Sequence, residues 1–196
     1  MDERDSGTDD RNVRLARLLK EAQAGQLDSL NQIVAELSPL LWQVARIQGL
    51  DRPTAEDVVQ TTWLRLLRNL KGIRTPESLV SWLITVTKRE AWRVRNAGRG
   101  EQPVDDWVIA GLRDPAAEPD EHVLKDERRR ALWAAFRHLS ERCQALLRLV
   151  AFAHRPTYND VATALGMPIG SIGPTRGRCL AKLRDLLVAG DDWSTP

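Results

Sequence analysis

The chain has few cysteines, few aromatic residues apart from tryptophan, and no long apolar run. Its 196 residues include two cysteines, too few for a disulfide framework and not in a CxxC pair, so the sequence predicts a reducing, intracellular setting. No apolar run reaches the roughly 18 residues that cross a bilayer, and the N-terminus MDERDSGTDD is acidic, unlike a signal peptide. One tyrosine, two phenylalanines and no sustained alternation of period two disfavour strands. We therefore expect an all-α, cytoplasmic protein that inserts into no membrane.

Basic and acidic side chains are nearly balanced, 29 against 27, but they are segregated along the chain. Residues 11–100 and 124–196 have an excess of Lys and Arg, whereas residues 1–10 and 101–123 are acidic. Prolines at 103, 115 and 119 indicate that the acidic middle stretch is extended and joins two small helical domains. The predicted organisation is a disordered acidic tail, a first helical domain, an acidic extended linker, a second helical domain with a helix-turn-helix, and a short tail, at residues 1–10, 11–97, 98–122, 123–189 and 190–196.

The second domain has a short helix, a glycine turn and a longer basic helix, the pattern of a helix-turn-helix. We expect the short helix at residues 159–165, ended by Gly166, and the long helix from the N-cap Ser171 to about Val188. In a major groove, such a helix reaches base edges with its first residues. The alternative is a helical pair that packs internally and exposes a solvated basic face. The apolar positions expected between the two helices are Tyr158, Val161, Ala162, Leu165, Ile172, Cys179, Leu180 and Leu183.

The first domain contains two helical patterns of interest. One helix is expected from about Thr54, with Asp57 as a weak capping signal, and another over residues 76–96. The second ends in a basic stretch that contains Trp92, and basic side chains next to aromatic rings suit an opened DNA strand. The alternative is a solvated helix face, and Trp82 of the same helix is expected to be a core residue. The apolar stripe of the first helix is Val59, Trp63, Leu66, Leu67 and Leu70.

Four segments in this order resemble an extracytoplasmic-function sigma factor of bacterial RNA polymerase. They are AEDVVQTTWLRLLRNL at 55–70, SWLITVTKREAWRVRN at 81–96, LSERCQALLRLVAF at 139–152 and GMPIGSIGPTRGRCLAKLRDLL at 166–187. The resemblance covers residues 25–97 and 125–188. It implies a transcription initiation factor with three groups of contact residues.

A helix that docks on the clamp coiled coil of the largest polymerase subunit corresponds to Glu56, Asp57, Gln60, Thr61 and Arg65. The surface that melts and reads the −10 promoter element corresponds to Asn69, Lys71, Arg74, Ser78, Lys88, Arg89, Trp92, Arg93, Arg95 and Asn96. The −35 reader corresponds to Ser171, Pro174, Thr175, Arg176, Arg178 and Lys182.

The resemblance also implies partners. They are core RNA polymerase, including the flap of its second-largest subunit, promoter DNA, and an anti-sigma factor that can hold the chain at the membrane. The acidic linker corresponds to the segment that threads the RNA exit path. The free factor is otherwise expected near the nucleoid.

Other function classes fit the residues less well. The histidines His122, His138 and His154 are scattered, and Cys143 lies near none in a nucleophile or metal-ligand pattern, so we expect no enzyme, metal, cofactor or small-molecule substrate. Cys179 is expected to be an inert core residue. A one-component regulator that binds an operator unaided is the main alternative, and a protein-binding adapter would leave the two basic surfaces unexplained.

Overall fold

The computed structural model describes residues 3–97, 127–153 and 156–189, with side chains from residue 10 in the first range and residue 130 in the second. The regular elements in these ranges are all helices, joined by short turns and loops. Two short 3₁₀ turns, Leu70–Gly72 and Pro76–Ser78, flank the loop between the third and fourth helices. The α-helices in these ranges are α1 Glu3–Gln23, α2 Leu27–Arg46, α3 Arg52–Asn69, α4 Leu79–Arg95, α5 Glu127–Arg137, α6 Glu141–Phe152, α7 Tyr158–Leu165 and α8 Ile169–Ala189. The expected all-α fold with a helix-turn-helix is confirmed.

Helix α1 differs from the predicted acidic tail, because residues 3–10 continue the helix instead of forming a disordered segment. Leu15, Leu18 and Leu19 anchor α1 in the core at 2% exposure or less. Burial of these leucines stabilises the helix that extends N-terminally from them. The predicted linker at 98–122, the tail at 190–196, His122 and His154 lie outside the described residues.

The start of α3 was predicted two residues late. Asp51, not Thr54, is the N-cap, and its carboxylate accepts a hydrogen bond from the Thr54 backbone N–H at 3.0 Å. The hydrogen bonds from Thr54 hold the pKa of Asp51 below its usual value. Pro53 lies in the first turn, where its missing N–H costs nothing. Helix α4 begins at Leu79, because residues 76–78 form a 3₁₀ turn ahead of it.

The helix-turn-helix consists of α7 and α8, and its first half follows the prediction closely. Thr157 and Asp160 form a reciprocal capping box at the start of α7. Gly166 ends α7 with φ +62°, a left-handed conformation that favours glycine. Helix α8, however, begins at Ile169, so Ser171 is not its N-cap, and the Ser171 hydroxyl donates to the Pro168 carbonyl oxygen at 2.7 Å.

The two cysteines contradict the expectation of unpaired thiols. Cys143 of α6 and Cys179 of α8 form a disulfide, with their Cα atoms 5.4 Å apart. Cys179 is buried in the core as predicted, at 1% exposure, but it is bonded to its neighbour and is not an isolated core thiol. The pairing arises because α6 packs against α8.

The two helical halves share one continuous buried core. Helix α7 packs against α4, and α6 packs against α2. Arg11 of α1 joins the halves through a buried ion pair, its Nη1 lying 2.6 Å from Oδ2 of Asp160 in α7, while its Nε donates to Glu36 of α2 at 3.0 Å. The helix-turn-helix is therefore fastened to the first half by both apolar and charged contacts. Among the described helices, none combines the length and apolar character that a membrane crossing demands.

Candidate functional site

The basic end of α4 lies partly under the helix-turn-helix. Lys88 is 6% exposed, and its Nζ donates to the Thr163 carbonyl oxygen of α7 at 3.2 Å. Burial lowers the pKa of Lys88, because removal from water disfavours the charged ammonium group. Arg89 is exposed and Trp92 is half-buried. The predicted −10 surface is therefore divided into a covered part and an open part.

Glu90 pairs with one cation of α4 and one of α3. Its side chain is 3% exposed and pairs with Arg65 of α3 and with Arg93 one turn further along α4, the latter at 3.1 Å. Arg93 keeps 66% of its side chain exposed, and Arg65 keeps 49%. Glu90 thus orients one residue from each of two predicted contact groups, although the sequence offered no signal for its role.

The end of α4 is tied back to neighbouring backbone. Arg95 donates from Nη1 to the Gln48 carbonyl oxygen at 3.2 Å, and Asn96 donates from Nδ2 to the Trp92 carbonyl oxygen at 3.1 Å. Both bonds satisfy carbonyl groups close to helix ends. Arg95 and Asn96 therefore have structural contacts in addition to their predicted role.

The loop between α3 and α4 is held by a residue that sequence reasoning missed. Gln23 of α1 donates through Nε2 to the carbonyl oxygens of Leu70 and Ile73, at 2.9 and 3.0 Å. Ser78 donates its hydroxyl hydrogen to Thr75 at 2.7 Å. The other predicted members of this loop group, which are all exposed, are Asn69, Lys71 and Arg74.

The predicted polymerase-docking residues lie along one side of α3. Glu56, Asp57 and Gln60 are exposed and Thr61 is half-buried, while Arg52 pairs with Glu56 at 3.2 Å. Beside them runs a groove of about 780 Å³ between α2 and α3. Its apolar lining includes Pro39, Trp42, Val59, Trp63, Leu64 and Phe152, and Glu56 and Gln60 stand among them.

A hydrogen bond holds Trp63 in the wall of the groove. Its indole Nε1 donates to the Ser38 hydroxyl at 3.1 Å, so its polar atom is satisfied while the ring faces the groove residues. Trp63 belongs to the apolar stripe predicted for α3 and is half-buried, whereas Trp42 carries no prediction from the sequence. A combination of apolar lining and polar residues at the side is typical of a groove that accepts a helix.

The α8 surface is open by contrast. Arg178 and Lys182 are exposed, Arg176 and Thr175 are half-buried, and Arg178 Nη2 lies 3.3 Å from the Thr175 hydroxyl. Pro174 is exposed and Ser171 is half-buried in the first turns of the same helix. All six residues of the predicted −35 group thus lie within the first fourteen positions of α8.

Clusters that could hold a metal ion are absent from the described part of the chain. The arrangement instead offers cationic groups for phosphates, a tryptophan for base stacking, and an apolar groove for a protein partner.

The chain is similar in sequence to known proteins, both in one segment and over most of its length. Residues 33–99, which include most of α2 and all of α3 and α4, match the family Sigma-70 region 2. The chain is 24% identical over 181 residues to the ECF RNA polymerase sigma factor BldN of Streptomyces coelicolor, covering 91% of this chain and 68% of BldN. It is 26% identical over 175 residues to the probable RNA polymerase sigma factor RfaY of Xanthomonas campestris pv. campestris, covering 87% of this chain but only 43% of RfaY.

A solved structure shares the fold over most of both chains. The sigma factor RpoE of Bartonella quintana, in complex with the anti-sigma factor NepR, aligns with a TM-score of 0.51 and 24% identity, covering 81% of this chain and 96% of that one. The region 2 match makes residues 33–99 similar to a domain of RNA polymerase sigma factors. Over most of its length the chain is similar to an extracytoplasmic-function sigma factor, the class that the sequence resemblance implied.

Proposed function

We propose that the chain binds core RNA polymerase, directs it to promoters through −35 and −10 elements, and helps to melt the DNA, with no chemistry of its own. The observation that carries the proposal is that two helices with exposed cationic side chains, α4 and α8, occur in one chain whose α2 to α4 match sigma region 2. One helix suits an opened strand and the other a duplex groove, so each has a separate task.

The polymerase contact is assigned in this proposal to the exposed side of α3. Asp57 and Gln60 are free to meet a partner there, and the groove lined by Trp42 and Trp63 runs alongside. A helix of the clamp coiled coil would bury its apolar side in the groove and pair its polar side with α3. Contact with the polymerase flap is assigned to the second domain.

The −10 contact is assigned to the α4 end and the loop before it. Arg89 and Arg93 are exposed enough to meet phosphates, and Trp92 offers a ring for a flipped base. Lys88 joins them only after α7 moves, because the Thr163 contact covers it. The contribution of Lys88 to melting therefore requires α7 to move away from α4.

The −35 contact is assigned to α8. Arg178 and Lys182 need no rearrangement to reach DNA, since both are exposed in the closed chain. An arginine on a recognition helix can hold guanine with two hydrogen bonds, and a lysine fixes register on phosphates. An anti-sigma factor that holds the closed arrangement would oppose the use of Lys88 in the −10 contact, because α7 covers Lys88 there.

A pull-down with core polymerase tests the proposal. The tagged full chain should retain core enzyme without DNA, and Asp57→Arg should lose most of that retention because it reverses the charge on the exposed side of α3. Asp28→Arg, at an exposed position in the first turn of α2 outside the groove, is the matched control and should retain the enzyme. Failure of the wild-type chain to bind core enzyme, together with tight operator binding as a lone dimer, would establish the one-component regulator instead.

A further inference from the structure

The disulfide between α6 and α8 lies outside every contact surface proposed above. Cys143 and Cys179 are 36 residues apart in sequence, yet their Cα atoms are 5.4 Å apart, within the usual range for a disulfide. The chain between them includes all of α7 and the turn into α8. A bond at this position therefore closes a loop around the whole first helix of the helix-turn-helix.

The two sulfur atoms differ in access. Cys179 is 1% exposed, whereas Cys143 is only half-buried. Cys143 also lies in the first turn of α6, where its backbone N–H donates to the N-cap Ser140 hydroxyl at 3.4 Å. The positive end of the helix dipole favours a negative charge at such a position. Cys143 is thus the thiol that a small reagent meets first, and Cys179 is the one placed to resolve the product.

We propose that Cys143 and Cys179 are a reversible thiol–disulfide pair that couples α6 covalently to α8, with a low-molecular-weight disulfide such as oxidised glutathione as the oxidant. The Cys143 thiolate attacks one sulfur of the small disulfide and releases one small thiol. The Cys179 thiolate then attacks the Cys143 sulfur of the mixed disulfide and releases the second small thiol. The protein loses two electrons and two protons, and the small disulfide becomes two thiols.

The bond has a direct structural consequence for the proposed DNA-reading helix. Cys179 follows Arg178 on α8, and α6 packs on both α8 and α2. Oxidation therefore fastens the middle of α8 to a helix that is itself held by the first half of the chain. Closure of this loop restricts the unfolded chain, so the oxidised protein resists unfolding more than the reduced protein.

Thiol trapping on the full-length chain tests the bond itself. The protein is equilibrated in glutathione buffers of decreasing reducing power, quenched with acid, denatured and alkylated with a heavy maleimide. The reduced chain should gain two adducts and the oxidised chain none, and digestion should yield one peptide that links positions 143 and 179. Two adducts at every ratio, stable mixed disulfides with glutathione, or disulfides only between chains would each overturn the proposal.

Thermal unfolding tests whether the disulfide stabilises the folded chain. The oxidised wild-type chain should melt roughly 10 °C above the reduced chain. Cys143→Ser, at the half-buried position, should melt at the same temperature with and without reductant, and Cys179→Ala provides the same comparison if that variant folds poorly. A reductant effect of equal size in a single-cysteine variant, or none in the wild type, would overturn the stabilising role. Neither readout uses polymerase or DNA, so the result is independent of the proposed promoter function.

Discussion

The two cationic helices of this chain differ in that one cation of α4, Lys88, is buried. On α4, Lys88 is buried against α7 and Arg93 is paired with Glu90, whereas on α8 the cations Arg178 and Lys182 face solvent. The closed arrangement therefore covers part of the surface proposed to bind an opened strand and leaves the surface proposed to read duplex DNA accessible. In that proposal, a duplex contact can precede separation of the halves, but a phosphate contact through Lys88 cannot.

A buried charge network holds the closed arrangement. Arg11 is 9% exposed and lies between Glu36 and Asp160, whose side chains are also nearly buried. Asp160 additionally accepts the Thr157 backbone N–H at 2.9 Å, so the same carboxylate both caps α7 and fastens it to α1. Because Asp160 has both functions, we expect the closed arrangement of the two halves to be most sensitive to a substitution in the first turn of α7.

Among the variants considered, removal of Arg11 is expected to have the largest effect. It should reduce the difference in exposure between Lys88 of α4 and the cations of α8. Arg11→Ala leaves the Asp160 carboxylate buried without its cation, which costs about 3–5 kcal/mol in the closed chain. Separation of α7 from α1 relieves that cost, so the halves should part and Lys88 should become as accessible as the cations of α8. Small-angle scattering should show a larger radius of gyration than the wild type.

Arg14→Ala is the matched control for that change. Arg14 also pairs with Glu36, but it is 49% exposed and has no contact with Asp160, so its loss should cost less than about 1 kcal/mol. An unchanged radius of gyration in Arg11→Ala, or an equal increase in Arg14→Ala, would show that the buried pair does not control closure.

Loss of the proposed duplex contact of α8 should have the next largest effect, which is on transcription. Arg178→Ala should lower −35-dependent transcription about tenfold, the result of losing a contact of roughly 1–3 kcal/mol, with polymerase affinity unchanged. Arg184→Ala removes another exposed arginine six positions further along α8 and serves as the control. Unchanged promoter output in Arg178→Ala would remove this residue from the −35 group.

Loss of the exposed cations of α4 should lower open-complex formation several-fold. The double variant Arg93→Ala/Arg95→Ala should weaken open-complex formation more than core binding, because lost cations reduce attraction to strand phosphates. Since Arg95 also donates to Gln48, the melting temperature of the variant is measured alongside. Arg68→Ala, which removes one exposed cation near the end of α3, is the control for loss of positive charge outside the α4 surface. Equal losses of core binding and open-complex formation would contradict the assignment.

The smallest of the expected effects is the change in folding stability that follows from protonation of Lys88. Its pKa is lowered in the closed chain relative to 10.5, so between that lowered value and 10.5 the unfolded chain binds more protons than the folded one. The stability of the folded, closed chain should therefore rise as pH rises through this window. Urea midpoints across the alkaline range should show the rise in the wild type and a smaller one in Lys88→Met. An identical pH dependence in both proteins would assign it to other groups.

Local signals in the sequence were sufficient for α7 and for the turn between α7 and α8, but not for the first residues of α1, α3 and α8. Thr157 with Asp160 and Gly166 determine both ends of α7 through contacts within a few residues. Periodicity was less reliable for burial, since Leu67 is 49% exposed, Leu180 44% and Tyr158 37%, although each was expected on an inner face. A helical stripe reports which side is apolar, but not how far a neighbouring helix extends over it.

Features that depend on contacts between distant segments were missed. The Cys143–Cys179 bond needs α6 beside α8, the burial of Lys88 needs α7 on α4, and the loop contacts of Gln23 need α1 beside residues 70–73. None of these pairings leaves a spacing pattern in one sequence. The predicted contact groups themselves stay predictions, because they concern partners.

In the proposed function, this chain melts promoter DNA only together with core RNA polymerase, through α4, after α8 has bound the duplex. Permanganate reactivity of thymines, on a promoter that the chain supports in transcription, is the decisive experiment. We expect reactive thymines in the −10 region with core enzyme and chain together, none with either alone, and a weakened signal in Arg93→Ala/Arg95→Ala. Reactive thymines produced by core enzyme without the chain, or protection of the duplex by the free chain with no thymine reactivity when core enzyme is added, would contradict it.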